Sequence, residues 1–421
     1  MEKRKIYIIT TIVILTMLTA LALWYAYIIR QEVSIGQSSE LDLYNTTQEL
    51  SGRVSGSTGG QTSESSTTVF GTPYGDTVVS NTSTNETVTN QDGVLETNIL
   101  ATEAYIPESW SLLQLHQSAT AGHLTEDDSV LFIDTKTGTL LENTLDGETT
   151  NMTTDTIPNL IKSYFIDTNF ILLVKSVGAP IIINTSNDRV QTLYDTVLQV
   201  SQTDNAIYYT TPNATRGITL KKISHESVKA YDVKPETVWT SNLSGWLLQA
   251  TSASVVLTQK ASYNIPGYSY LLPGGSNKAT LTTLVQDAPS LITNISQDAK
   301  SLLYSTVDND GIHLYLKNLV DNTVITLSTK TLASKCAWGG DSSTFYCAVP
   351  DSLPSSTLPD SWYKGQVGFY DSLWRINAQS GDALELAGAT NLDIIDIQVK
   401  DSVITFKDKT DQSLWAIVKD L

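Results

Sequence analysis

The chain has 421 residues, 41% of them hydrophobic and 17% charged, with a formal net charge of −18 at pH 7. That length holds either more than one ordinary domain or an array of repeats, and a charge of this sign excludes a nucleic-acid partner, which would need a basic stripe against its phosphates. The carboxylates are scattered along the sequence rather than gathered into runs, which is the pattern of a solvated exterior rather than of a cation-binding tract.

Lys3, Arg4 and Lys5 precede an uncharged stretch that opens on Ile6 and closes on Ile29, just before Arg30. As a helix this stretch is about 36 Å long, enough to cross a hydrocarbon core of roughly 30 Å with some tilt. Trp24, Tyr25 and Tyr27 fall at its far end, where aromatic rings settle at the interface, and the basic cluster lies on the near side. The expectation is a single-pass signal anchor over residues 1–30, with a cytoplasmic N-terminus and the rest of the chain outside. A cleaved signal peptide is the competing reading, with Ala20-Leu21-Ala22 as its small-residue site, although apolar residues continue beyond it to Ile29.

Residues 31–105 are rich in Ser, Thr, Gly, Asn and Gln, as in SGRVSGSTGGQTSESSTTVFGT. Too little apolar surface is available there to offset the entropy of ordering. This segment reads as a flexible linker with a root-mean-square span of roughly 45 Å.

From residue 106 to residue 421 short β-rich runs alternate with Asp, Asn, Gly, Ser and Thr. Seven runs resemble one another, with first large apolar residues Val130, Phe170, Ile207, Val255, Leu302, Phe345 and Val403. A turn leads from each to a second apolar run, beginning near Thr139, Pro180, Ile218, Tyr268, Ile312, Ser372 and Ser413. Paired β runs at a period of about 40 to 50 residues are the mark of propeller blades with four strands each. The fold class is therefore all-β, a seven-bladed β-propeller of four-stranded antiparallel blades. The last unit supplies only three strands, and the run opening at Trp110 and ending at Leu115 is placed to complete it as a clasp, removing the exposed strand edges of an open ring.

The run Ser296-Gln297-Asp298-Ala299-Lys300-Ser301-Leu302-Leu303-Tyr304 resembles the S-P-D-G-K-x-L-x-Y/F repeat of TolB-like propellers, with Gln297 and Ala299 in place of Pro and Gly. More broadly, the outer domain resembles a group of uncharacterised membrane-anchored propeller proteins of candidate-phyla bacteria. Lys335-Cys336-Ala337-Trp338, Tyr346-Cys347-Ala348-Val349-Pro350 and Asp371-Ser372-Leu373-Trp374-Arg375-Ile376 are among the stretches that carry this likeness. The resemblance implies a fold and a location, and no activity.

Candidate chemistry is sparse. Cys336 and Cys347 lie on two apolar runs joined by Gly-Gly-Asp-Ser-Ser, so they face each other across a hairpin in a domain expected outside the cytosol, and a structural disulfide follows. His116, His123, His225 and His313 fall on different units without metal-ligand spacing, and no G-x-S-x-G elbow occurs. Asp308-Asn309-Asp310-Gly311 reads as a hairpin turn, because Lys317 stands where an EF-type loop needs its bidentate Glu. No cofactor or metal is implied.

Two loops are candidates for recognition. The first is the Pro-rich insertion at residues 350–366, with Asp360, Trp362, Tyr363 and Lys364; loops on rigid scaffolds carry function, and Trp and Tyr are favoured interface anchors. Its aromatics are equally suited to packing over their own blade. The second, around Tyr263 to Tyr268, is also readable as a plain turn between strands. The expected role is a membrane-anchored platform for a protein, peptide or glycan partner. An enzyme cleaving glycans with carboxylates at the channel mouth is the alternative, and a structural spacer of the envelope is the third reading.

Overall fold

The computed structural model describes residues 110–153, 156–274, 280–388 and 390–419. The expected membrane span and linker lie outside the described residues. Among the described residues, no helix is long and apolar enough to cross a membrane.

Seven four-stranded sheets, all with antiparallel neighbours, follow one another along the chain. We name the strands of each blade A to D, from the first in sequence outward. Blades 1 to 6 take their four strands consecutively. Blade 7 takes Ile394–Lys400, Val403–Asp408 and Leu414–Lys419 from the end of the chain, and its D strand is Trp110–His116. The register runs from Trp110 opposite Lys419 to His116 opposite Leu414, so the ring is clasped by the start of the described chain, as the sequence indicates.

The B strands explain why the repeat could be read at all. Each has a buried, largely apolar stretch because both of its faces are covered by neighbouring blades, which converts the usual alternation into a nearly continuous run. In blade 1, Val130 and Phe132 pack with Leu414 and Ala416 of blade 7, while Leu131 and Ile133 pack with Ile171 and Leu173 of blade 2. The same division recurs in blade 3, where Ile207 and Tyr209 turn towards Leu172 of blade 2, and Ala206 and Tyr208 towards Val255 and Leu257 of blade 4. Burying such a side chain contributes about 1.5–3 kcal/mol, and no blade can gain this without its neighbours.

Antiparallel order fixes which loops share a face. The A–B and C–D connections lie on one side, here called the hairpin face. The B–C loops and the D–A passages from one blade to the next lie on the other, the crossover face. Strand D of blade 7 starts at Trp110, opposite Lys419, so the described chain enters the propeller on the hairpin face.

Two connections carry short helices. His225–Lys229 follows strand C of blade 3 and is capped by the Ser224 side chain, which accepts from Ser227 N. Residues 360–367 belong to a unit apart from the propeller; they open with the helix Asp360–Tyr363, and Lys364 N donates to Asp360 O at 3.0 Å.

Candidate functional site

The two faces differ in chemistry. On the hairpin face, the A–B connection of every blade except blade 4 carries a carboxylate: Glu126, Asp127 and Asp128 in blade 1, then Asp167, Asp204, Asp298, Asp341 and Asp401. These residues have a folding reason to be there. Asp167 Oδ1 accepts from the Asn169 and Phe170 backbones at 2.9 and 2.8 Å, and Asp341 Oδ1 accepts from Ser343 N at 2.9 Å, the short-range bonding that makes Asp a turn residue. Part of the negative charge thus follows from the number of hairpins.

The crossover face has few exposed carboxylates and gathers the exposed apolar side chains. Of the eleven described large hydrophobic residues that are exposed, seven lie in its loops. Val177, Tyr194 and Leu198 border blade 2, Leu243 and Ile265 border blade 4, and Met152 and Tyr370 lie further round. Tyr194 is 93% exposed. A folded domain gains nothing from exposing a full tyrosine ring.

Two cavities open on the same face. One, of about 460 Å³, lies between the clasp and the B–C loop of blade 1, lined by Gln114, His116, Gln117, Ser118, Asp134 and Lys136 among others. His116 Nε2 lies 2.7 Å from Asp134 Oδ2, and its ring tilts against Phe132 at 5.0 Å. Asp134 Oδ1 accepts from Lys136 N and Thr137 N at 2.7 and 2.9 Å. Burial alone would push this carboxyl up, but these backbone bonds and His116 hold it below the usual carboxylate range. Amides, an imidazole and a surface ammonium together offer hydrogen bonds to a small polar ligand.

The other cavity, of about 230 Å³, is lined by Lys260, Ser262, Ile265 and Gly267 among others. The candidate loop around Tyr263 to Tyr268 is thus both the B–C turn of blade 4 and part of a cavity wall. Its Gly267 is obligatory: a Cβ there would lie 2.5 Å from Leu291 Cβ.

The other candidate loop reads differently in three dimensions. Trp362 is only 6% exposed and Ser361 is buried, Asp360 and Tyr363 are partly buried, and Lys364 is exposed. Burial and the Asp360 charge push the Tyr363 hydroxyl well above its usual range. Cys336 and Cys347 are in register on strands A and B of blade 6 and are joined by a disulfide. Asp308 pairs with Gly311 across the tight B–C turn of blade 5, as the sequence indicates. Among the described residues no group of three His, Cys, Asp or Glu side chains is placed to hold a metal ion.

Sequence reasoning missed one polar centre entirely. Lys335, at the end of the turn Ala333–Lys335, lies between Asp371 of blade 6 and Asp393, which precedes blade 7. All three are buried, and they come from the starts of three different strands, where Lys and Asp look like ordinary turn residues. Burial, with repulsion from Asp393, pushes the Asp371 carboxyl up to about 6 against the pull of Lys335 and of the Ile394 N–H. The nearby Asp408 carboxyl is also raised, chiefly by burial. Neither of these raised carboxyls lines either cavity.

No protein-family model matches the chain, and no curated protein matches it in sequence. Solved structures do match. Oligogalacturonate lyase from Vibrio parahaemolyticus superposes with a TM-score of 0.51 at 10% identity, over 74% of this chain and 97% of that one. Virginiamycin B lyase from Staphylococcus aureus gives a TM-score of 0.50 at 10% identity, over 74% and 99%. A chain of the mitotic checkpoint complex gives 0.49 at 9% identity, over 80% and 99%. At 10% identity the two lyase structures show the fold and nothing finer: a seven-bladed β-propeller.

Proposed function

We propose that the chain is an extracytoplasmic binding scaffold, held to the membrane by the segment between Ile6 and Ile29, that captures a protein, peptide or glycan partner on the crossover face of its propeller. The segregation of exposed apolar side chains onto that face, opposite the carboxylate-bearing hairpins, is the observation that carries this reading. Entry of the described chain on the hairpin face supports it, because a tether attached there leaves the crossover face presented outward. The disulfide fits an oxidising compartment. The likeness of residues 296–304 to the TolB-like repeat, and of blade 6 to membrane-anchored propellers, fits the same location. In this reading Lys364 and its neighbours Asp360, Trp362 and Tyr363 form a secondary recognition element.

The test is site-specific photo-crosslinking on intact cells. A crosslinker at Tyr194 or Ile265 captures a partner, and one at Asp341 or Asp146 on the hairpin face does not. Equal capture from both faces, or from the hairpin face alone, overturns the assignment.

A further inference from the structure

The buried centre between blades 6 and 7 has the makings of a covalent link. Lys335 Nζ lies 2.6 Å from Asp393 Oδ1 and 2.8 Å from Asp371 Oδ2. The side chains of Lys335 and Asp371 are fully buried, and that of Asp393 is 3% exposed. The Phe369 ring lies over the ammonium, 4.9 Å from Nζ to its centroid. Each group is pinned by its own backbone or by its neighbours. Lys335 N donates to Leu332 O at 2.8 Å, and Asp371 Oδ2 accepts from Ile394 N at 2.7 Å. Asp393 N donates to Asp408 Oδ1 at 3.2 Å, while Asp393 O accepts from Lys409 N at 2.8 Å.

Two features separate this arrangement from an ordinary ion pair. One ammonium faces two carboxylates in a buried site, where unneutralised charge is costly. The second oxygen of Asp371, Oδ1, is buried without a hydrogen-bond partner among the described residues, leaving a position for a proton. A fixed amine beside a fixed carboxyl group, with a second acid to carry protons and all three side chains buried, is the geometry in which effective concentration replaces an external activating agent.

We propose that Lys335 and Asp393 condense into an intramolecular isopeptide bond, with Asp371 as the proton carrier. Asp371 takes a proton from the Lys335 ammonium and passes it towards Asp393, so that the freed amine attacks the Asp393 Cγ. The tetrahedral adduct collapses as a second proton moves from nitrogen, through Asp371, to the departing hydroxyl. One C–N bond forms, one C–O bond breaks and one water leaves, with Asp371 restored to its starting state. No oxidant or co-reactant is consumed. The raised affinity of Asp371 for a proton suits it to this shuttle. The product is a neutral amide in place of one buried ion pair, and it ties the turn before blade 6 to the turn before blade 7, around the same blade that holds the disulfide.

Mass spectrometry of the reduced full-length protein tests this directly. The intact mass falls short of the sequence mass by one water, trypsin fails to cut after Lys335, and tandem spectra show a branched peptide joining Lys335 to Asp393. Asp371→Asn and Asp393→Ala each restore the full mass and the cut. A wild-type protein at full mass with linear peptides throughout overturns the proposal, whether or not the variants fold. Loss of water mapped elsewhere does the same, and a branched peptide that persists in Asp371→Asn removes Asp371 from the chemistry.

Discussion

The Tyr209 hydroxyl donates to Asp195 Oδ2 at 2.5 Å, joining strand B of blade 3 to the passage that arrives from blade 2. Lys221 completes the contact, its Nζ 2.8 Å from both carboxylate oxygens. Burial would raise the Asp195 carboxyl, but Lys221 and Tyr209 outweigh it and hold the group below its ordinary range. A depressed carboxyl contributes stability above its unfolded value, near 4, and loses it as pH falls through the folded value. Tyr209→Phe is expected to lower the unfolding free energy by about 1–2 kcal/mol at pH 7. Asp195→Asn should flatten the loss of stability below about pH 4. Urea titrations at pH 7 and in acid check both, and a Phe variant as stable as wild type would remove the bond from the account of this junction.

The clasp makes closure dependent on a single strand. Trp110–His116 is far in sequence from the rest of its sheet and is held to it by strand pairing and side-chain packing, and Leu115 is buried with Leu124, Val130 and Phe132 of blade 1. Leu115→Ala is expected to cost about 2–4 kcal/mol, as for other buried Leu truncations. A chain beginning at Gln117 leaves Leu414–Lys419 as an open edge, and should self-associate on size-exclusion chromatography as well as unfold earlier. A shortened chain that stays monomeric and as stable as the parent would mean that blade 7 needs only three strands.

The disulfide closes a segment of sequence separation 11. In the chain-entropy account so short a loop contributes at the low end of the usual range, so replacing both cysteines with serine should cost about 2–3 kcal/mol and leave the fold intact. Thiol labelling of denatured, unreduced protein should find no free thiol, and two labelled cysteines would sink the pairing.

What the sequence made legible follows from burial. The B strands were readable because blades press on both sides of them, leaving runs such as Val130 to Ile133 without a polar residue, and the C strands because they alternate buried with half-buried positions. The outer strands were not. Thr149–Asn151 and Val324–Thr326 are exposed along their whole length, so no pattern sets them apart from loops. The strand A of blade 1, His123–Leu124, is too short to carry a period. Cys336 and Cys347 could be paired because a local hairpin sets their register. The contact of Lys335 with Asp371 and Asp393 depends on how whole blades stack, which no local signal encodes. The segregation of carboxylates from exposed apolar groups was hidden for a related reason. Neighbours on one face come from every second loop of the chain, so a property that is sharp in space is scattered in sequence.

The A–B turn of blade 5 shows where this chain departs from relaxed geometry. Ala299 sits at φ 56, where the TolB-like repeat has glycine. The turn around it is well tied: Ala299 N donates to Ser296 O at 3.0 Å, Lys300 N to Asp298 Oδ1 at 3.1 Å, and Ser301 N to Ser296 Oγ at 2.9 Å. These bonds hold the alanine in a left-handed conformation that costs an L-residue about 1–2 kcal/mol. Ala299→Gly removes that cost and gives back about 0.4–1 kcal/mol through the freer unfolded chain, so a net gain of about 0.5–1 kcal/mol is expected. Gly311→Ala is the opposing control. Gly311 has φ 112 and faces Leu353 Cδ1 at 3.2 Å from the position of an added Cβ, so this variant should be less stable than wild type. Thermal and denaturant unfolding of the two variants should move in opposite directions. A destabilised Ala299→Gly would show that the Ser296 and Asp298 bonds need the stiffness of alanine more than they suffer from its strain.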